Sequence, residues 1–167
     1  MCKWVNTITP EKTVADAVKQ MVDNKTNSMI VVDEEEKPVG IVSSHLLIKA
    51  VVPEYLKDDP TYSKYGAEGT FDKYGEKAKD IKIKEIMTNG FHKLSADDAM
   101  IEAAAYASKG VRRIIPVVND EGKLVGAITR TCIKNALHNV IFPGEKVDPQ
   151  DNRDGIIDAG DSGDLKS

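Results

Sequence analysis

The sequence predicts an α+β fold: two pseudo-symmetric units, each strand, helix, strand, strand, helix, packed sheet against sheet. Three observations carry that prediction. Residues 4–51 lie over residues 90–137 at a constant offset of 86, with no gap. Only eight of the 48 aligned positions are identical, but six of these fall between positions 31 and 40, so the likeness is concentrated in one motif. Short branched runs and helical stripes also recur in the same order in both copies. A repeat of this size is one supersecondary unit that cannot bury its apolar face alone, so two copies are expected to close around a pseudo-twofold axis.

The elements follow in order. Thr9 then Pro10 reads as a helix start, an N-cap hydroxyl with proline at the first helical position. Val14, Ala17, Val18 and Met21 follow as an apolar stripe at i, i+3, i+4, i+7. The counterpart opens with the capping-box-like Ser95-Ala96-Asp97-Asp98 and carries the slimmer stripe Met100, Ala103, Ala104, Ala107. Met29–Val32 and Ile114–Val118 are branched apolar runs ended by acidic turns, the signature of buried strands. Pro38–Val42 and Leu124–Ile128 return as the next strands. Leu46-Leu47-Ile48, and Ile133 with Ala136-Leu137, begin the closing helices. The chain thus divides into a first repeat (1–52), a connector (53–80), a second repeat (81–142) and a tail (143–167). The connector holds Tyr55, Tyr62, Tyr65, Tyr74 and Phe71, aromatic content that predicts packing against the body.

Charge excludes one class of partner. Residues 143–167 hold seven acids and three bases, a balance of −4, which equals the net charge of the whole chain and leaves a neutral body. A neutral body gives no long-range pull on phosphate backbones, so nucleic acid is not expected as a partner. No apolar run approaches the roughly 20 residues that span a bilayer, so no membrane is expected either. The N-terminus lacks the apolar core of a signal peptide, and the two cysteines, Cys2 and Cys132, have no CxxC pattern. Two free thiols in a reducing, cytoplasmic setting are the expectation.

Gly40-Ile41-Val42-Ser43 and Gly126-Ala127-Ile128-Thr129, with Pro116-Val117-Val118 and Ile86-Met87-Thr88, resemble the cystathionine beta-synthase (CBS) domain. The likeness covers roughly residues 1–52 and 81–142. It implies a tandem pair, or Bateman module, that assembles as a homodimeric disc of four repeats. It also implies sensing rather than catalysis, with AMP, ADP, ATP or S-adenosylmethionine held in the clefts between repeats and no required cofactor. In ligand-binding members the motif runs Gly-x-x-Ser/Thr-x-x-Asp, the hydroxyl meeting ribose or phosphate and the carboxylate the ribose hydroxyls. Ser43 and Thr129 take the hydroxyl position, and Thr131 matches a second polar contact. Arg113 matches a basic phosphate contact, with Arg112, Arg130 and Lys134 near it in sequence. Backbone near Thr7, Ile8 and Thr9, and near Lys93–Ser95, would hold the adenine edge. The aspartate position holds Leu46 in one repeat and Cys132 in the other, which lowers the expected affinity.

Other chemistry has little support. His45, His92 and His138 lack ligand spacing, no glycine-rich phosphate loop is present, and nothing in the pattern places a base beside Cys132. In the tail, Asn152, Asp154, Asp158 and Asp161 fall at positions 3, 5, 9 and 12 of a calcium-loop pattern whose first position is Gln150. A disordered acidic tail is the preferred reading, with a weak calcium site as the alternative. The functional expectation is a regulatory, non-enzymatic module that senses an adenosyl ligand and signals to a protein partner the sequence does not name. The alternative is a ligand-free dimerisation scaffold.

Overall fold

Branched apolar residues confined to short runs, each ended by a turn, cannot support long strands, and the sheets are small accordingly. In the computed structural model residues 5–54, 70–98, 100–109 and 114–148 are described. β1 (Thr7–Ile8), α1 (Val14–Asp23), β2 (Ser28–Val32), β3 (Pro38–Ser43) and α2 (Ser44–Val51) form the first repeat. α3 (Thr70–Ala78) and α4 (Ile83–Ile86) follow. β4 (Leu94–Ser95), α5 (Met100–Ser108), β5 (Ile114–Val118), β6 (Leu124–Thr129) and α6 (Arg130–Ile141) form the second. Each sheet has three strands, ordered β1-β2-β3 and β4-β5-β6, with one parallel and one antiparallel pairing.

The repeat holds at the level of register. Ser28 pairs with Ser43 and Val31 with Gly40; at the same offset Ile114 pairs with Thr129 and Val117 with Gly126. Both hairpins carry their register shift at one place, between Val31 and Val32 and between Val117 and Val118. The turns match too. Asp33 Oδ1 accepts from the Glu35 and Lys37 amides, and Asn119 Oδ1 from those of Glu121 and Lys123. Each turn needs a left-handed residue, Glu36 at φ 62° in one and Gly122 at φ 78° in the other.

Alternation sorts the side chains. Ile8, Met29, Val31 and Val42 face α1 and α2 in one core, joined by Val14, Ala17, Met21 and Leu47. Leu94, Ile115, Val117 and Ile128 form the second with Ala103 and Cys132. The opposite sheet faces, with Ile30, Ile41, Pro116 and Ala127, are buried as well, as two sheets packed face to face require. The hairpins also touch directly: the Leu124 amide donates to the Glu36 carbonyl at 2.9 Å.

Two expectations are corrected. α1 begins at Val14, not after Thr9, because Thr13 and Asp16 form a complete capping box: the Asp16 carboxylate accepts from the Thr13 amide at 2.9 Å and the Thr13 hydroxyl from the Asp16 amide at 3.3 Å. Thr9 instead opens a tight turn, its carbonyl accepting from the Lys12 amide. Likewise Asp98 accepts from the Ser95 amide, but Ser95 lies in β4 and α5 starts only at Met100.

Residues 81–88, counted by sequence with the second repeat, pack into the first. Ile83 is fully buried in the first core, with Ile81, Ile86 and Met87 packed against it. The Val14 and Ala15 amides, in the first turn of α1, donate to the carbonyls of Ile81 and Lys79. Thr88 exchanges two backbone hydrogen bonds with Ile41, at 3.0 and 3.1 Å, on the free edge of β3. Met87 lies so close over Gly40 that a Cβ there would stand 2.5 Å from its sulfur. Of the aromatic connector, Tyr74 is half-buried and Phe71 is 78% exposed; Tyr55, Tyr62 and Tyr65 lie outside the described residues.

Candidate functional site

A strand that turns directly into a helix places its last residue at the helix N-cap, and this happens at the same point in both repeats. Ser43 ends β3 and caps α2, its hydroxyl accepting from the Leu46 amide at 3.4 Å. Thr129 ends β6 and caps α6, accepting from the Cys132 amide at 3.2 Å. Short hydroxyl residues are favoured at such junctions because they satisfy an otherwise orphaned amide. By register, Ser43 lies on the sheet face of Ile30 and Ile41, and Thr129 on that of Pro116 and Ala127. Thr7, paired with Ile30, shares that face in repeat one. Thr7, Ser43 and Thr129 thus share the sheet faces opposite the helix-packed cores.

The site differs from expectation in its chemistry. Thr129 and Thr131 are each only 7% exposed, and the Thr129 hydroxyl also donates to Cys132 Sγ at 3.3 Å. Arg130, the first residue of α6, and Lys134 are exposed. Ile8 is a buried core residue, so only its backbone can contribute to recognition. Thr7 has its carbonyl bonded to Gln20 Nε2 at 2.9 Å. Leu94 is likewise buried, with Lys93 exposed beside it. Arg113, Arg112 and the tail residues Asn152, Asp154, Asp158 and Asp161 lie outside the described residues. Among the described residues no group of three or more His, Cys, Asp or Glu could hold a metal ion. His45 and His92 are exposed; His138 is half-buried, its Nδ1 unpartnered and its ring 5.1 Å from Phe142.

The expectation of free thiols fails at Cys132, which is disulfide-bonded, and among the described residues no cysteine is free; Cys2 lies outside them. Disulfide pairing depends on proximity in space, and spacing along the chain does not encode that. Sequence reading also missed two asparagines one turn apart on α6. Asn139 binds Val147 reciprocally: its amide donates to the Val147 carbonyl at 2.7 Å and its carbonyl accepts the Val147 amide at 2.8 Å. Asn135 donates to the Asp148 carbonyl at 3.2 Å. The segment after α6 thereby folds back along the helix. The i, i+4 spacing of the asparagines was the available signal.

An open groove of about 400 Å³ lies beside β1 and the polar face of α1, lined by Thr7, Ile8, Thr9, Lys12, Asp16 and Gln20 among others. It takes in the two repeat-one backbone positions but none of Ser43, Thr129 or Thr131. The strand register, not this groove, marks the candidate site, because it sets a hydroxyl at the matching strand-to-helix junction of each repeat.

Comparison with known proteins is consistent with this geometry. The CBS domain matches residues 5–53 and 83–139. The chloroplastic CBS domain-containing protein CBSX1 of Arabidopsis thaliana is 26% identical over 154 residues, 85% of this chain and 63% of that protein, so the chain spans less than two thirds of that relative's length. The crystal structure of CBSX2 in complex with AMP superposes with a TM-score of 0.61 at 24% identity, covering 82% of this chain and 90% of the other. The CBS domain pair of protein MJ0100, in complex with 5′-methylthioadenosine and S-adenosyl-L-methionine, superposes at 0.62 and 24%, covering 84% and 93%. With two matched segments, two sheets in one register and this structural likeness together, the chain belongs to the CBS domain family, as a tandem pair of repeats.

Proposed function

We propose that this chain is a regulatory module, without catalysis of its own, that senses an adenine nucleotide or related adenosyl ligand in the seam between its repeats. The carrying observation is the doubled junction: Ser43 and Thr129 reach the same position in the same register, each on the sheet face away from its own helix-packed core. Structural neighbours of the same fold hold AMP in one case, and methylthioadenosine with S-adenosylmethionine in another. Thr129, Thr131 and Arg113 are the leading contacts. Arg130 and Ser43 stand beside them, and backbone at Thr7 and Ile8 meets the adenine edge. A ligand that prefers one placement of the repeats shifts the population toward it, and a partner that reads the shifted surface must in turn alter ligand affinity. The chain works in the cytoplasm.

The module acts as a homodimer. Val18 and Val22 on α1, and Leu137, Val140 and Ile141 on α6, are exposed apolar side chains on helix faces, and a second copy would cover them. A second reading, a scaffold without ligand, is favoured by Leu46 and Cys132 at the carboxylate position and by the helix-capping duty of both hydroxyls. Hydrogen bonds to a charged partner contribute roughly 1.5–3 kcal/mol. Thermal shift with AMP, ADP, ATP and S-adenosylmethionine separates the readings. Sensing predicts a rise in Tm that Arg113→Ala abolishes; no rise with any of the four supports the scaffold.

A further inference from the structure

Asn135 and Asn139 on α6 are arranged to hold main chain. Asn139 Nδ2 donates to the Val147 carbonyl at 2.7 Å, and its Oδ1 accepts from the Val147 amide at 2.8 Å. Asn135 Nδ2 donates to the carbonyl of the next residue, Asp148, at 3.2 Å. A planar side-chain amide offers a donor and an acceptor side by side, so it answers both peptide groups of one extended residue, as a neighbouring antiparallel strand does. Four residues of helix rise about 6 Å, close to the span of two extended residues, so an i, i+4 pair keeps step with a chain laid along the helix. All three bonds go to backbone, and the side chains of residues 145–148 are exposed.

We propose that Asn135 and Asn139 form a docking site for an extended segment of a partner protein, recognised through its main chain, and that residues 145–148 occupy the site in the partner's absence. Recognition of this kind draws affinity from main-chain hydrogen bonds and selectivity from the side chains that flank them. The seated segment sets the chemistry of the occupant. It runs from Asn139 to Asn135, toward the start of α6, where Lys134 and Arg130 are exposed and the helix end favours negative charge. Its own order is an apolar residue, Val147, then an acid, Asp148, and the partner segment shares that order. The hold on residues 145–148 is light. The chain reverses through a short turn, the Glu145 amide donating to the Phe142 carbonyl at 3.1 Å, and surface bonds of this kind open locally at low cost. The asparagines fall on the other side of α6 from Leu137, Val140 and Ile141, so a docked segment leaves that apolar face to a second copy. The docking site does not depend on the sensing reading.

The test follows the side-chain amide signals of Asn135 and Asn139 in the ¹⁵N-labelled full chain. The probe is the capped peptide Phe-Pro-Gly-Glu-Lys-Val-Asp, the sequence of residues 142–148, titrated to about 5 mM because the chain's own segment competes at high effective concentration. Val147→Pro removes the amide that Asn139 accepts and loosens the resident segment. That variant should bind the peptide at least about fivefold more tightly than wild type. Adding Asn139→Ala, or N-methylating the valine of the peptide, should abolish the binding, while the rest of the spectrum reports that each variant is folded. Absence of saturable shifts in Val147→Pro, or equal affinity in Val147→Pro and wild type, would overturn the proposal. So would binding that survives Asn139→Ala, because the peptide then sits elsewhere. Hydrogen-exchange protection of the Val147 amide that falls on dilution would assign the seated segment to a second copy and overturn the partner peptide as occupant.

Discussion

Ile83→Ala probes whether the segment that leads into repeat two is structurally part of repeat one. Ile83 is 0% exposed and sits in the first core with Val14, Met29 and Leu47. Its helix is a single turn of four residues, too short to persist without tertiary support. Its amide donates to the Lys12 carbonyl at 2.8 Å, which holds the backbone in place when the side chain is cut back. The substitution removes three carbons, about 2.4 kcal/mol of transfer free energy at ~0.8 kcal/mol each. The residual cavity adds to this, which gives about 3–4 kcal/mol, inside the range of about 2–5 found for such changes. For a chain of this size that lowers Tm by about 6–16 °C. Urea unfolding followed by circular dichroism should show a lower midpoint at unchanged slope. Ile101→Ala, at a site 77% exposed, serves as control and should stay within about 0.5 kcal/mol of wild type. A loss below about 1 kcal/mol for Ile83→Ala would refute the placement of residues 81–88 in the first core.

Other predictions test the repeat, the caps and the C-terminal strap. Glu36→Gly should stabilise by about 0.5–1 kcal/mol in urea unfolding, because it relieves a left-handed residue at the place where the second repeat already has Gly122. Bonds from Thr13 hold the Asp16 carboxyl below its ordinary value, and Lys84 does the same for Glu11. A carboxyl with a lowered folded-state pKa stabilises the fold above its unfolded value and loses that contribution as pH falls through the folded value. Tm should therefore drop below about pH 4, and Asp16→Asn should flatten part of that limb. Asn139→Ala should remove hydrogen-exchange protection from the Val147 amide, while Asn135→Ala leaves that amide protected.

Much of the fold was legible in the sequence because its signals are local. Ile114–Val118, a branched apolar run ended by an acidic turn, is a strand with the bounds expected. The gapless offset of 86 between repeats reappears as identical hairpin register, down to the irregularity after Val31 and Val117. The start of α1 was misplaced because Thr9-Pro10 and Thr13–Asp16 are both good local starts, and only the second has its reciprocal partner in place. The strand-to-helix junctions of the candidate site were legible in the sequence, but their local bonding was not. Gly-x-x-Ser/Thr located Ser43 and Thr129, yet nothing local announces that both hydroxyls cap helices, or that Cys132 is bonded. Non-local contacts such as Ile83 in the first core, or Thr88 on Ile41, join residues 36–75 positions apart and leave no periodic trace.

The most direct test of the central claim is the footprint of a ligand in amide chemical-shift spectra of the full chain, titrated with AMP and separately with S-adenosylmethionine. A seam between repeats predicts saturable shifts at Thr7–Thr9, Ser43 and Thr129–Cys132 together, contributed by both repeats. Shifts confined to the outer groove at Lys12, Asp16 and Gln20, or to one repeat alone, would contradict it.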